Sequence, residues 1–495
     1  MSLACLALVS TLGLGWFVLA HQPLPIGDLR SSALATLGFC LLVIVALLYV
    51  RQVPVLSFPS LFLSVTFLFT CGPLVLYQIQ GNETFRSWDF VDERSTLVAM
   101  PAVALAFSSF LLGAMLMRTP DPGDGTHDVR RSFENVELDE RVTRNLGYVL
   151  YAVATVIIAG ASLSGEALQF AIDGGYHAFN GAKRAGQVSQ LAGASLSRLL
   201  PWSLLILTAA SVDRRSRRVV VLLAIPAFAI MLGLGDRSGS VAALIMITCG
   251  MYLRGSRISL GRFLGVVLLV AFLMPLILNL RTVPVSQWSG NVFEMAATNQ
   301  VESTNTYREG FLEGILISPS TSYQTLMATV KVVPQEENYH YGRDYLSSLV
   351  VALPFRSILL APFDVDLRGV SPSEWVKSYL NPGGTEGSAH LQVAEAYLQF
   401  GAIGIVVLYL LLGWGLTRLW RSVSTKPWDV RTIAFSLIVM SETLIWVRNS
   451  SALAVRALTW GWLLVYVAPA LFRARASRSR TRATRTIALP EASES

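Results

Sequence analysis

The chain contains 495 residues, of which 53% are apolar and only 14% are charged. Together with a mean hydropathy of +0.53, this composition excludes a water-soluble globular protein and indicates an integral membrane protein. Much of the net charge of +7 lies beside apolar stretches and in the C-terminal tail, where it indicates membrane orientation and no nucleic-acid partner. The four cysteines all lie within apolar stretches and form neither a disulfide framework nor a metal-ligand pattern.

Twelve apolar stretches approach or exceed the length that a helix needs to cross the hydrocarbon core, about 20 residues. In chain order they cover residues 3–20, 31–50, 55–79, 95–117, 145–163, 192–212, 219–234, 239–253, 263–280, 392–417, 431–447 and 452–471. They predict an all-α polytopic membrane protein of about 12 transmembrane helices. Residues 1–280 hold the first group of spans, and residues 391–471 hold the last group.

The distribution of basic residues predicts the orientation, because loops rich in Lys and Arg stay in the cytoplasm. These residues are concentrated in the even-numbered loops and in the basic tail, residues 472–495. We therefore predict that both termini are cytoplasmic. The same holds for loop 118–144, whose mixed charges show no apolar periodicity and predict a mobile segment.

The large hydrophilic segment 281–390 then faces the outside. Three of its stretches, residues 310–318, 345–355 and 357–362, are apolar enough to be buried. We interpret them as short amphipathic helices that lie at the outer membrane surface and cap a cavity.

One charged turn interrupts the apolar region between two short predicted helices. An arginine at the middle of a span costs about 2.5–3.5 kcal/mol, so such residues are candidates for function. Asp236 and Arg237 lie in a Gly- and Ser-rich turn at the outer end of both helices. The second helix, predicted to start near Gly239, directs its N-terminal amides there, which makes Arg237 a candidate anion-binding residue. A tight hairpin closed by an Asp–Arg ion pair is the alternative.

Three further arginines are candidates for binding a polyanionic substrate. Arg281 follows the ninth predicted span, and Arg343 and Arg356 belong to the outer segment. A guanidinium group binds phosphate oxygens bidentately and stays charged at any working pH. The alternatives are snorkelling at a helix end for Arg281 and a solvated face for the other two.

A glycine-rich turn leads into the tenth predicted span. In NPGGTEGSAHLQVAEAYLQFGAIG, residues 381–404, a helix is predicted to start near Ser388 and to descend from the outer face. His390 and Glu395 then lie in its first turns, near the membrane surface. A histidine there can accept or position a proton at neutral pH, although a structural histidine is the alternative.

Motifs for metal, nucleotide or hydrolase chemistry are weak or missing. Asp364-Val365-Asp366 spells a DxD, but nucleotide sugars are absent outside the cell. No Walker loop, GxSxG elbow, HExxH or CxxC motif occurs. We therefore predict no metal and no cofactor.

Two segments resemble the Wzy-type O-antigen and exopolysaccharide polymerases, also called oligosaccharide repeat-unit polymerases. YGRDYLSSLVVALPFR (341–356) is similar to their Tyr-Gly-x-x-Tyr-Leu segment with its Pro-Arg. GGTEGSAHLQVAEAYLQFGAIGIVVLYLLLG (383–413) is similar to their Ser/Gly loop and following Glu-Ala-Tyr, Phe-Gly helix. GDRSG (235–239) is similar to an arginine-containing turn shared with O-antigen ligases.

The resemblance implies a metal-independent membrane glycosyltransferase of the GT-C type. Such an enzyme joins oligosaccharides carried on undecaprenyl diphosphate at the outer face of the bacterial inner membrane, among membrane lipids, with a chain-length regulator and a flippase as further partners. By position, Arg237 and Arg281 would neutralise the diphosphate leaving group. His390 would act as the base or orient the acceptor hydroxyl, with support from Glu395 and Tyr397.

The sequence also departs from this family. Phe355 separates Pro354 from Arg356, and neither Arg343 nor Arg356 opens an Arg-x10-Gly motif. Two other functions stay open. One is an O-antigen ligase, in which an Asn usually follows the histidine where this chain has Leu391. The other is a lipid-linked oligosaccharide flippase or transporter, although the sequence lacks the internal symmetry typical of transporters.

Overall fold

The computed structural model describes residues 29–51, 53–80, 93–117, 133–162, 198–233, 237–256, 311–352, 372–380 and 390–471, besides the single residues 13, 261 and 265. These residues form helices α1 (Leu29–Arg51), α2 (Phe58–Gln80), α3 (Glu93–Leu116), α4 (Phe133–Ser162), α5 (Leu199–Ala209), α6 (Arg214–Gly233), α7 (Arg237–Leu253), α8 (Phe311–Val332), α9 (Arg343–Ala352), α10 (Pro372–Leu380), α11 (Gln392–Thr425), α12 (Val430–Trp446) and α13 (Ala452–Trp462). A π-helical turn, Leu463–Val467, extends α13.

The all-α, polytopic fold is confirmed for this part of the chain. Every other predicted span coincides with a helix, and the spans at 3–20 and 263–280 lie outside the described residues except for the single residues 13 and 265. Five helices, α1, α2, α3, α11 and the extended α13, are long and apolar enough to cross a membrane, and α5 and α7 are shorter apolar helices. The total of about 12 spans and the GT-C-like arrangement stay predictions.

The helices pack in two groups that meet along α12. The first group consists of α1, α2, α3, α8 and α11, and the second of α4, α5, α6 and α7, whereas α13 packs against α12 and α9. Within the first group, Phe62 stacks on Phe110 with ring centroids 5.1 Å apart, and Tyr409 of α11 lies 6.2 Å from the same Phe62. This interior is continuous and apolar, as close packing in a membrane bundle requires.

Two glycines bring α3 and α11 into backbone contact. A Cβ atom at Gly113 would lie 2.0 Å from the carbonyl oxygen of Leu410. A Cβ atom at Gly413 would lie 2.0 Å from the carbonyl oxygen of Phe110. Only glycine permits this approach, because a methyl group would overlap the facing backbone.

We therefore expect Gly413→Ala to destabilise the bundle. The added methyl group must push α3 and α11 apart, and overpacking of this kind costs about 1–3 kcal/mol. Gly415→Ala, two residues along the same helix, is the matched control, because nothing lies within 4 Å of its added Cβ. Thermal unfolding in detergent checks the prediction, and equal melting temperatures for the two variants would contradict it.

Helix α11 is broken near its start, where the sequence predicted a continuous span from 392 to 417. Phe400 (φ −146°, ψ 21°) and Gly401 (φ 63°, ψ −143°) leave the helical conformation. A Cβ at Gly404 would lie 2.1 Å from the carbonyl oxygen of Ala396, whereas residues eight apart in a straight helix are about 12 Å apart. The half-helix 392–399 therefore folds back against the following segment.

Helix α8 corrects the prediction for residues 310–318. That stretch does not form a separate short helix, because most of it belongs to a helix of 22 residues. Tyr323 and Met327 in the second half of α8 are fully buried, and the helix packs against α2, α3 and α11. Two of its threonines bond to the helix backbone, because Thr325 Oγ1 donates to Ser322 O and Thr329 Oγ1 donates to Thr325 O, both at 2.6 Å, so burial leaves these two hydroxyls satisfied.

The other stretches of the outer segment behave differently. Helix α9 has two faces, with Leu346 and Leu349 exposed and Asp344 and Ser348 buried, and its predicted place at the outer membrane surface stays a prediction. Helix α10 was not predicted, and the stretch 357–362 lies outside the described residues.

The predicted loop 118–144 is also partly helical, because α4 begins at Phe133. Asp139 pairs with Arg431 of α12 at 3.1 Å, and Glu140 pairs with Arg254 at the end of α7. Arg254 also donates to Pro427 O at 2.7 Å. Ion pairs between helix ends thus order residues that the mixed-charge composition predicted to be mobile.

These contacts define two ends of the bundle. The charged end holds Asp139, Glu140, Arg254 and Arg431. The opposite end, called the histidine end below, holds His390, Glu395 and Glu442. Segments predicted to be cytoplasmic meet at the charged end, so the structure agrees with their common location; which end faces the cytoplasm stays a prediction.

Reporter cysteines test the orientation. We expect a membrane-impermeant maleimide added outside the cell to label Gln335→Cys but not Gly125→Cys. The native Cys40, Cys71 and Cys249 are buried, so they should add little background. Labelling at 125 without labelling at 335 would reverse the predicted topology.

Candidate active site

The half-helix 392–399 forms the centre of the histidine end. At its C-terminal side, Leu398 O accepts from His340 N and Gln399 O accepts from Tyr341 N, both at 3.0 Å. At its N-terminal side, Gln392 N donates to Val447 O at 3.1 Å. These contacts satisfy backbone groups that a short helix leaves without partners. The half-helix is thus fixed by the segment before α9 and by the turn after α12.

His390 differs from the prediction in its surroundings. Helix α11 starts at Gln392 rather than near Ser388, and His390 precedes it and is fully buried in the protein; its predicted place near the membrane surface stays a prediction. Burial lowers the pKa of His390 to about 3. The charge of Asp344 opposes this change, and the charge of His340 adds to it. The imidazole is therefore neutral at working pH and keeps a nitrogen lone pair for a proton.

His390 and Gln392 form a pair of buried groups with unused hydrogen-bonding capacity. Among the described residues, neither ring nitrogen of His390 and neither amide atom of Gln392 has a hydrogen-bonding partner. Each such group costs about 1–3 kcal/mol when it is left unpaired. Groups of this kind are expected where a ligand or water supplies the missing bonds. The sequence prediction missed Gln392, which looks like an ordinary residue at a helix start.

Glu395 is a structural anchor. Its Oε2 accepts from Trp446 Nε1 at 2.8 Å, and its Oε1 accepts from Ser451 Oγ at 2.7 Å. The amide of Ser451 lies 3.2 Å from both oxygens, and Ser451 Oγ also lies 2.9 Å from Ser348 Oγ in α9. The carboxylate therefore ties the half-helix to the turn between α12 and α13. This arrangement fits positioning better than proton transfer.

Tyr397 packs at the break in α11. It is buried, and its ring centroid lies 6.1 Å from that of Tyr339. A Cβ at Gly401 would come within 2.9 Å of the Tyr339 hydroxyl, and the positive φ of Gly401 also favours glycine. Tyr397 thus supports the fold of the half-helix.

The predicted arginines are described only in part. Arg237 is the first residue of α7, whose other end lies at the charged end, so Arg237 lies at the histidine end. Arg343 begins α9 and is exposed. Arg281 and Arg356 lie outside the described residues, as do Asp364 and Asp366. The structure therefore places two of the four arginines at this end of the bundle and leaves the other two as predictions.

A second cluster beside the half-helix was missed by the sequence prediction. Asp344 is buried, and its Oδ2 accepts from Gln399 Nε2 at 2.5 Å and lies 2.8 Å from His340 Nδ1. Gln399 Oε1 accepts from Gly342 N at 3.0 Å. The signal in the sequence was the spacing of four between His340 and Asp344 at a helix start.

The titration of this cluster follows from its hydrogen bonds. The contact with Asp344 raises the pKa of His340, burial opposes this change, and Glu337 reinforces it. Partial burial alone would raise the pKa of Glu337, but hydrogen bonds from Tyr379, Trp375 and His340 outweigh it, so the net pKa is lowered. A charged His340 is therefore favoured beside an ionised Glu337.

These features define a polytopic helical membrane protein with a buried polar site at one end of its bundle. The family model of the O-antigen polysaccharide polymerase Wzy matches residues 10–475, and the chain belongs to this family. The resemblance predicted from residues 235–413 is thus confirmed and extends over most of the chain. No curated protein and no solved structure gives a significant match.

Proposed function

We propose that this protein polymerises oligosaccharide repeat units carried on undecaprenyl diphosphate at the outer face of the bacterial inner membrane. Membership of the Wzy family carries the proposal, because it establishes a polysaccharide polymerase. The family match covers both the half-helix with His390 and the turn with Arg237. A chain-length regulator and a flippase are the further partners that we propose.

The reaction transfers the growing glycan from its lipid carrier to an incoming lipid-linked unit. The acceptor hydroxyl oxygen forms a bond to the anomeric carbon of the donor sugar. The bond between that carbon and the diphosphate oxygen breaks, and the lipid diphosphate leaves with the electron pair. Arg237 and Arg281 neutralise the leaving charge, as preorganised cations do in a site poor in water.

His390 accepts the proton of the attacking hydroxyl in this mechanism. The neutral imidazole that burial enforces is the form that can take a proton. A sugar hydroxyl that enters beside His390 and Gln392 would satisfy the unpartnered atoms of both side chains. Substrate binding would thus remove the cost of keeping these groups buried.

Reconstitution tests the proposal. Purified protein in detergent, incubated with a synthetic undecaprenyl-diphosphate-linked repeat unit, should yield a ladder of products spaced by one repeat unit on a gel. Heat-inactivated protein is the control. A single unextended band with folded protein would contradict the proposal.

An O-antigen ligase is the second candidate, because it uses the same donor. We favour the polymerase, since Leu391 follows His390 where the ligases usually have Asn. Lipid A core added to the same reaction distinguishes the two functions. Transfer of glycan to lipid A core without any ladder would identify a ligase.

The broken helix α11 is also a feature of transporters, which hold substrates at discontinuous helices. A flippase would move the lipid-linked unit across a vesicle membrane without extending it. The same synthetic unit in proteoliposomes therefore separates transport from polymerisation.

Polymerisation should proceed without a divalent metal ion. Arginines, rather than a metal held by Asp364 and Asp366, neutralise the diphosphate in the proposed mechanism. We expect the ladder to form at an unchanged rate after treatment with EDTA. Loss of the ladder in EDTA, with recovery in Mg²⁺ or Mn²⁺, would instead support a metal site at the two aspartates.

A further inference from the structure

Three tryptophans of the described part of the chain donate to glutamates, and one of these pairs differs from the others. Trp202 donates to Glu442 at 3.0 Å, and Trp446 donates to Glu395 at 2.8 Å. Both carboxylates are at most 1% exposed, so these two pairs brace the interior.

The third pair opens to the surface at the histidine end. Trp375 Nε1 donates to Glu337 Oε2 at 2.7 Å, and the side chain of Glu337 is 35% exposed. A hydrogen bond stabilises a fold less when water competes for its partners. Bracing alone therefore does not account for a pair left open to solvent.

Three rings surround the Glu337 carboxylate. Trp375 and Tyr379 lie on successive turns of α10 with ring centroids 5.1 Å apart, and Trp375 is 5.8 Å from the His340 ring in an edge arrangement. Tyr379 OH donates to Glu337 Oε2 at 2.7 Å. Oε2 thus has two donors, whereas Oε1 has, among the described residues, only the longer contact of 3.5 Å with His340 Nε2. Oε1 is therefore able to accept a further hydrogen bond.

Glu337, His340, Trp375 and Tyr379 form a surface patch that is joined by hydrogen bonds to the candidate active site. His340 Nδ1 contacts Asp344, and Asp344 accepts from Gln399 of the half-helix. His340 N donates to Leu398 O at 3.0 Å. A ligand on the patch would thus be held beside the half-helix that carries the candidate catalytic residues.

We propose that Glu337, His340, Trp375 and Tyr379 form a binding subsite for one pyranose ring of the oligosaccharide. The apolar face of a sugar packs on an aromatic ring, and its hydroxyls bond to a carboxylate and an imidazole, which is the mixture of aromatic and few polar groups typical of small-molecule sites. Glu337 Oε1 accepts from a sugar hydroxyl, while Tyr379 and Trp375 fix the carboxylate. This proposal rests on the proposed polymerase function for the identity of the ligand.

Direct binding tests the subsite without requiring turnover. The probe is the soluble oligosaccharide released by mild acid from the lipid-linked repeat unit, titrated into detergent-solubilised protein by calorimetry. Trp375→Leu should raise the dissociation constant at least about tenfold, which corresponds to about 1.4 kcal/mol. Glu337→Gln keeps the size of the side chain and should raise it by a smaller factor.

Trp428→Leu is the matched control, because Trp428 is exposed and lies beside Pro427 at the charged end. Its dissociation constant should equal that of the wild type. Trp375→Phe keeps a ring and should bind more tightly than Trp375→Leu. If Trp375→Leu fails to fold, as its melting temperature would show, Glu337→Gln and Trp375→Phe decide the question.

Two results would overturn the subsite: no binding of the oligosaccharide by wild-type protein, or equal binding by wild type, Glu337→Gln and the folded Trp375 variants. The ladder assay separates this failure from failure of the polymerase function. If the protein forms the ladder but its binding of the oligosaccharide does not depend on Trp375, the subsite alone is rejected. If binding of the oligosaccharide depends on Trp375 but no ladder forms, the polymerase function is rejected and the subsite is supported.

Discussion

Arg237→Ala should slow polymerisation by about 10² to 10³, while the protein stays in the membrane at its normal level. Arg237 is the first residue of α7, so it belongs to the turn whose backbone amides make a helix N-terminus favourable for an anion. Negative charge develops on the diphosphate as the anomeric bond breaks. A neutral side chain leaves that charge uncompensated, and one lost contact of this type costs about 2.7–4 kcal/mol.

Lysine should replace Arg237 poorly, because a point ammonium cannot form the bidentate contact of a guanidinium with phosphate oxygens. Arg218→Ala provides the control, since Arg218 is exposed in the first turns of α6. The initial rate of ladder formation measures the effect. Full activity in both Arg237→Lys and Arg237→Ala would reduce Arg237 to a residue that starts a helix.

The apolar pattern was sufficient to predict the positions of most helices, because burial in lipid requires continuous apolar stretches. It failed for α8, where Ser and Thr residues lower the hydropathy although Thr325 and Thr329 bond within the helix and are buried. It also failed for residues 133–144. There the deciding contacts are ion pairs with Arg254 and Arg431, which lie more than 100 residues away along the chain.

The break in α11 could not be predicted from the sequence pattern. The stretch from Tyr397 to Gly404 reads as a continuous apolar helix with two glycines. Its folding back depends on the close contact between Gly404 and Ala396 and on the packing of Tyr339 against Gly401. Such contacts are set by tertiary structure, and a glycine in an apolar stretch indicates only that a close approach or a positive φ is permitted.

The candidate site was predicted in outline. His390 was identified from its place between a glycine-rich turn and a helix, a pattern that says nothing about burial. The partners of Glu395 are Trp446 and Ser451, some 50 residues further along the chain, so its anchoring role was not visible. Asp344 was not predicted, because its partner Gln399 lies 55 residues further along the chain. The neighbouring Arg343, which was predicted, is exposed.

His390→Ala should lower the turnover number by about 10² to 10⁴, the usual contribution of a general base. The loss should fall on kcat, because the diphosphate of the donor is bound by arginines. Glu395→Gln should be milder for kcat but should lower the melting temperature, since one of its oxygens becomes an N–H group facing the donors Trp446 Nε1 and Ser451. His127→Ala, in the predicted cytoplasmic loop, is the control and should leave the rate unchanged.

The pH profile of the wild-type rate tests whether the pKa of His390 is lowered. From the sequence alone we expect the rate to fall as the pH drops through the ordinary imidazole pKa, about 6.5. Burial lowers the pKa of His390 to about 3, so its protonation should not reduce the rate between pH 5 and pH 8.

Protein stability should show the same lowered pKa. Below about pH 6.5 the unfolded chain binds a proton on this histidine that the folded chain refuses, so the folded state loses stability as the pH falls. The loss stops near pH 3, where the folded chain also takes up the proton. His390→Ala should remove this contribution, so its melting temperature should fall less on acidification than that of the wild type.

Two measurements therefore decide the role of His390: kcat and the melting temperature in acid. A His390→Ala protein that builds full-length polymer at the normal rate would exclude the base role. The acceptor hydroxyl would then lose its proton late, after the arginines have stabilised the departing diphosphate. A reduced rate that follows only the melting temperature would make His390 a packing residue of the half-helix.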